Sequence, residues 1–562
     1  MAPSIAELSS SLATPVKEVP VSTTSEIAEE QPSKISTVST WQAIATRRQQ
    51  EIFSSIPSEW IIPADLLKSK RPLDLVKTCG LLNEREIKIV YSTAVDLLEK
   101  MRTREYTAVE VTTAFCKASA VAHQATNCLA WTMYPSALTH AAILDAHMTQ
   151  TGSPIGPLHG LPISVKEHIY LIDTPSTSGF VGWADNFCTS PSQEGMCIQV
   201  LRNSGAVFHV KTTNPQGLMA LETRSNLYST TTNPLNTSLS PGGSSGGESA
   251  LVAMHGSILG IGTDIGGSIR TPALSCGIYG LKPSVARLPH SGLSGAHDGM
   301  ESDAQPWIGE VGLLPIPWGS REGVAVENEE NRNLKIGIIY TDGVHTPHPP
   351  ITRVLHSTES TLKEAGHEII PFPTHLHAPL ISTVDAMYLL DGGAEYLSHL
   401  SITSEPPTSL LQWLLEKKTT KNRTVSEQWK LHKERNRIQD AYAKLMLETG
   451  VDCIIAPGGV TVANAHEEAK YWGYTSVFNG LDLPVACLPA GEVEEGDVWG
   501  DADGNDGGKT DIEALWGPGK VGAQKYEGGS VGLQIVGRRL EEEKLLKMVR
   551  IIERDLGLSG SS

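Results

Sequence analysis

Two serine-glycine clusters lie close together in this sequence, GGSSGG at 242–247 and TDIGGSIR at 263–270. A serine hydroxyl becomes a competent nucleophile only when a base removes its proton. In the second cluster Ser268 follows Ile265, Gly266 and Gly267. Backbone N–H groups there, with little side chain in the way, can converge on one oxygen. That is the requirement of an oxyanion hole. In the first cluster Gly242-Gly243-Ser244-Ser245-Gly246 fits the G-x-S-x-G nucleophile elbow, which would instead make Ser244 the nucleophile of an α/β-hydrolase esterase. Phosphate binding does not fit, because no Lys follows the glycines and Gly260-x-Gly262 lacks the third dinucleotide glycine.

No His near either cluster stands in a suggestive pattern apart from His255, so the base must be sought elsewhere. A Lys can serve if burial keeps it neutral. Lowering its pKa from about 10.4 to about 7 costs roughly 5 kcal/mol, which requires a packed apolar site. Lys166 lies in such a run, LPISVKEHIYL at 161–171. Cys276 reads better as a buried thiol than as a nucleophile. His345-x-x-His348 and His375-x-His377 have no carboxylate or Cys at ligand spacing, so no metal and no cofactor are expected.

The elements that must position these groups alternate between strand and helix. Asn83-x-x-Glu86 and Thr107-x-x-Glu110 are capping boxes opening helices over 84–102 and 108–122. Strands are expected at the start of 161–171 and at 206–213, and a buried helix after GGSSGG. LKIGIIY at 334–340, a helix over 351–365 and HEIIPF at 367–372 form a β-α-β unit. A long helix over 425–449, strands at 452–457, 483–490 and 530–537, and a helix over 541–555 complete the chain. The alternation implies an α/β fold with a mostly parallel or mixed sheet.

With these elements in place, the text resembles the amidase signature family, and within it the fungal acetamidase-like general amidases. The likeness spans roughly 60–555. It includes CGLLNEREIK, IGPLHGLPISVKE, AVFHVKTTNPQ, TTTNPLN, CGIYGLKPS, LKIGIIYTDG, NGLDLPV and VGLQIVGRRLEEEKLL beside the two serine clusters. The resemblance implies a single large domain with a central mixed sheet covered by helices on both faces. It implies a Ser-Ser-Lys set: Lys166 as base, Ser244 on a cis peptide as proton shuttle, and Ser268 as nucleophile. The two serines stand 24 positions apart (268 − 244), as the family pattern requires. N–H groups of Ile265, Gly266, Gly267 and Ser268 would bind the oxyanion, with Ser245, Asp264 and Arg270 as supports behind them. The implied reaction is hydrolysis of a carboxamide C–N bond through an acyl-enzyme. One departure is expected: after 288–302 the family has a core strand and helix, and here 302–333 lacks that text. This leaves a catalytically impaired amidase-fold protein as an alternative.

Bulk properties agree with a small-molecule enzyme. A length of 562 residues allows three to four domains of about 150 residues. The net charge of −18 opposes binding to nucleic acid or an anionic membrane. The eight Cys contain no CxxC pair, as expected of reduced thiols. Residues 1–45 read as a disordered Ser/Thr/Pro-rich tail without the features of a signal or presequence, and 556–562 as a second tail. With no run of 18 apolar residues, the cytoplasm is the expected compartment. Residues 491–528, acidic and Gly-rich at first, read as an inserted surface loop. A small-molecule amide is the expected partner, and the oligomeric state stays open, a homodimer included.

Overall fold

The computed structural model describes residues 40–295, 332–500 and 510–558, all within one unit of the chain. The expected strands form, and they fall into two main mixed sheets. In the first, Leu129–Thr132, Val207–Thr212, Pro162–Lys166 and Gly260–Ile261 lie side by side in that order. The strand Pro162–Lys166 runs parallel to both neighbours, and its register sets Lys166 opposite Thr212. In the second, the order is Gly280–Lys282, Val485–Glu492, Ser530–Val536, Cys453–Pro457, Lys335–Ile338 and Glu368–Pro371. The α/β class is therefore as expected. Among the described residues no backbone pairing joins the edge strands Gly260–Ile261 and Gly280–Lys282 of these two mixed sheets.

Both capping boxes form, with Asn83 and Thr107 each receiving the N–H three residues on and the Glu side chain closing back. The helix expected over 84–102 breaks, however, into Glu84–Val90 and Ala94–Arg102. The cause is a second N-cap, Thr93, whose hydroxyl accepts from Asp96 N–H. The helix Ala108–Thr126 is almost wholly buried and anchors the core beneath the first sheet. The long helix forms at Val425–Thr449, and the last at Glu542–Asp555.

Two boundaries change. A helix at Trp41–Ser54, capped by Thr40, overlaps the end of the expected tail, because Ile52 is buried in the core and Trp41 packs against it. Residues 491–528 are not one surface loop. Asp497 is buried against Arg353, and Trp516 and Tyr526 are stacked at 5.5 Å and fully buried in the core of the second sheet. Aromatic burial outweighs the polar composition there. Residues 501–509, most of the altered 302–333 stretch and the first 39 residues lie outside the described residues.

Candidate active site

Lys166 ends a strand whose five residues are all buried. Its Nζ lies 2.6 Å from Ser244 Oγ and 3.0 Å from Thr263 Oγ1. Burial drives its pKa down to about 7, against the opposing pull of Asp264, Glu248 and Glu167. The amine is therefore substantially neutral near pH 7, as a base must be.

Ser244 sits in the turn that enters the helix Gly246–Ala253, and the Gly243–Ser244 peptide is cis. Thr223 brackets this turn: its hydroxyl donates to Gly242 O at 2.9 Å and accepts from Gly246 N–H at 3.1 Å. A side chain at 243 would run into the backbone of Ala220 and Glu222, so only glycine fits. The helix ends at Ala253, and the rest of the apolar run turns back into the edge strand Gly260–Ile261.

Ser268 occupies the corresponding place before the helix Arg270–Cys276. Ser245 N–H donates to Ser268 O at 3.1 Å, which ties the two clusters together. Among the described residues no hydrogen bond links Ser244 Oγ to Ser268 Oγ, but both serines line one cavity of about 1450 Å³. The cavity also reaches the edge strands Gly260–Ile261 and Gly280–Lys282.

The turn before Ser268 is held by its carbonyls. Asn479 Nδ2 donates to Asp264 O at 3.1 Å and Tyr388 Oη to Ile265 O at 3.3 Å. Thr475 Oγ1 donates to Gly266 O at 2.6 Å, and Thr271 N–H to Gly267 O at 2.7 Å. In a trans peptide the N–H of the next residue points the opposite way. The N–H groups of Ile265, Gly266 and Ser268 are thus turned away from these anchors, and no hydrogen bond among the described residues engages them. The expected fourth donor, Gly267 N–H, here donates to Asp264 Oδ1 at 2.8 Å. The Asp264 carboxylate closes the turn on itself, also accepting from Ile269 N–H at 3.0 Å. Gly267 has φ +129°, and a Cβ there would strike the Thr475 side chain.

Asp264 is fixed by Arg270. The guanidinium makes a two-point contact, Nε to Oδ2 at 3.0 Å and Nη2 to Oδ1 at 2.9 Å, and both side chains are fully buried. Arg270 also donates to Thr475 O, Gln534 Oε1 and Asn479 Oδ1. Burial would raise the Asp264 pKa, but Arg270 holds it well below the usual carboxylate range.

A family model described as Amidase matches residues 110–305 and 305–546. This chain belongs to the Amidase family. It is 34% identical to an acetamidase of Aspergillus oryzae over 92% of this chain and 99% of that protein. It is equally 34% identical to an acetamidase of Emericella nidulans, over 92% and 98%. Its fold matches a solved fatty acid amide hydrolase with a TM-score of 0.85 and 31% identity, over 92% of this chain and 95% of that one. The chain is an amidase, and family membership overturns the α/β-hydrolase reading of the G-x-S-x-G match. The two matched stretches of this amidase meet at 305, inside the region where core text was expected to be missing.

Several residues that adjoin the candidate site were not singled out from the sequence. Thr263 and His168 adjoin Lys166, with His168 Nε2 at 2.9 Å from Thr263 Oγ1. Glu248 is buried, accepts from Ser164 Oγ at 2.5 Å and Thr212 Oγ1 at 2.8 Å, and has its pKa pushed up to about 7 by burial. Thr263 opens the second quoted cluster and Glu248 directly follows the first, so adjacency was the available signal. His255 stacks its ring on Tyr91 at 3.8 Å, and no hydrogen bond among the described residues joins it to either serine. Cys276 is buried, and its thiol pKa is pushed up to about 12 by burial. Among the described residues no helix is long and apolar enough to cross a membrane.

Proposed function

We propose that this amidase cleaves a carboxamide C–N bond through Ser268, Ser244 and Lys166. The observation that carries the reading is the buried Lys166 amine, its pKa pushed down to about 7 by burial and its Nζ 2.6 Å from Ser244 Oγ. Lys166 takes the Ser244 proton as Ser244 takes the Ser268 proton. Ser268 Oγ bonds to the carbonyl carbon, and the negative charge moves onto the carbonyl oxygen. Donors supporting that oxyanion are the N–H groups of Ile265, Gly266 and Ser268. The proton returns through Ser244 to the departing nitrogen, the C–N bond breaks, and ammonia or an amine leaves. Water then attacks the Ser268 acyl ester, giving the carboxylate and the free serine. Contacts between catalytic groups often tighten only once substrate is bound, so the absent Ser244–Ser268 bond does not oppose this route.

The lining supports an apolar acyl portion. Leu218, Met219, Val252, Ile258, Ile265 and Ile278 face the cavity of about 1450 Å³. Small-molecule sites usually occupy roughly 300–1,000 Å³. The experiment that tests the reading is release of ammonia or amine from a panel of aliphatic, aromatic and amino-acid amides by the purified protein. Turnover that depends on Ser268 supports it. No turnover of any amide by well-folded protein would favour the impaired alternative.

A further inference from the structure

Lys166 has two hydroxyl partners, Ser244 and Thr263, and the proton on the second is already committed. The chain of contacts starts at Ser294 O, which lies 2.8 Å from His168 Nδ1. A carbonyl oxygen can only accept, so Nδ1 carries hydrogen. That carbonyl is held in place: Ser178 Oγ donates to it at 3.0 Å, while Ser294 N–H and Oγ donate back to His168 O at 2.8 and 3.1 Å. Burial, and then the Lys166 charge, keep the imidazole well below its ordinary pKa, so it bears one ring proton. His168 Nε2 is therefore an acceptor, 2.9 Å from Thr263 Oγ1. Thr263 gives its only hydroxyl proton to His168. Facing Lys166 Nζ at 3.0 Å, it can then only accept an N–H.

We propose that His168 and Thr263 are positioning residues that orient the Lys166 amine, holding one N–H and reserving its lone pair for the Ser244 proton. This rests on the reading of Lys166 as the base. Without the His168 acceptor, the Thr263 hydroxyl could turn and donate to the amine lone pair, competing with Ser244. Without the Thr263 oxygen, the amine would lose its fixed N–H and with it the direction of the lone pair.

The test compares Thr263→Ser, Thr263→Val, His168→Leu and the His168→Leu/Thr263→Val double variant. The probes are butyryl p-nitroanilide and the p-nitrophenyl ester of the same acyl group. Thr263→Val and His168→Leu should each lower kcat on the anilide roughly 10–100-fold with KM little changed, as expected of a misaligned group. The ester should lose less, because its leaving group needs no proton. Thr263→Ser should stay within a few-fold of the parent. The double variant should be no worse than the poorer single one, because both act on one amine. Equal losses on both substrates, losses that multiply in the double variant, or failure of Thr263→Ser to rescue would each overturn the proposal. If His168→Leu does not fold, the Thr263→Val and Thr263→Ser pair decides it. Ser268→Ala, run in parallel, separates the two ideas: turnover surviving there removes the triad reading and this inference together.

Discussion

Lys166 Nζ and Ser244 Oγ lie 2.6 Å apart although 78 positions separate them in the chain. The Lys166 amine does not gain stability from being there, since a buried amine costs free energy unless it loses its charge. Strand Pro162–Lys166 brings one partner and the turn before helix Gly246–Ala253 brings the other. An arrangement that costs stability and joins a neutralised base to a hydroxyl in a cavity is characteristic of a reactive site.

The first prediction concerns pH. In the proposed mechanism Lys166 acts when neutral, and burial pushes its pKa down to about 7. Amide kcat/KM should therefore rise as pH increases through about 7 and level off above it. A profile flat from pH 5 to 9 would remove Lys166 as the titrating base.

Removing that amine should affect substrates unequally. Lys166→Ala should slow amide cleavage about 10²–10⁴-fold, within the range of a lost general acid–base group. Ester cleavage should fall less. Steady-state rates on an amide and ester pair sharing one acyl group measure this, and equal losses would count against proton delivery to nitrogen.

Glu248 supplies a second test. A carboxylate near Lys166 favours the ammonium form, and the two groups titrate as a coupled pair. Glu248→Gln removes the negative charge, so the acidic limb of kcat/KM should move to lower pH. A limb that stays fixed, or moves to higher pH, contradicts this coupling.

Arg270 is predicted to carry stability. Removing it leaves Asp264 buried without its counter-charge, which typically costs about 3–5 kcal/mol. Arg270→Ala should lower the denaturant midpoint accordingly. In the parent protein the Asp264 pKa is depressed, so its contribution is present above the ordinary Asp value of about 3.9 and is lost as pH falls below it. Acid unfolding measured with and without Arg270 would reveal the difference.

The sequence was most legible where the signal is local. The capping boxes at Asn83 and Thr107 name their own partners three residues away, and both form. Lys166 could be picked out because a lone Lys in an apolar strand demands an explanation. The break at Thr93 was missed because apolar spacing carries on across it, while the cap rests on one hydroxyl. Trp516 and Tyr526 were hidden in a polar, Gly-rich stretch whose composition spoke louder than its three aromatics. Spacing could not disclose that Gly267 N–H is spent on Asp264, since that depends on which way one carboxylate points. The link from Thr263 to Lys166 spans 97 positions and exists only after the strands pair.

The central claim is that Ser268 is the residue that becomes acylated. The most direct measurement is a fluorophosphonate label followed by peptide mapping in the parent protein and in Ser268→Ala. The account predicts a single adduct on Ser268, no adduct in the variant, and amide turnover reduced on the order of 10⁴-fold or more by that substitution. An adduct on Ser244, or amide turnover that persists in Ser268→Ala, would contradict it.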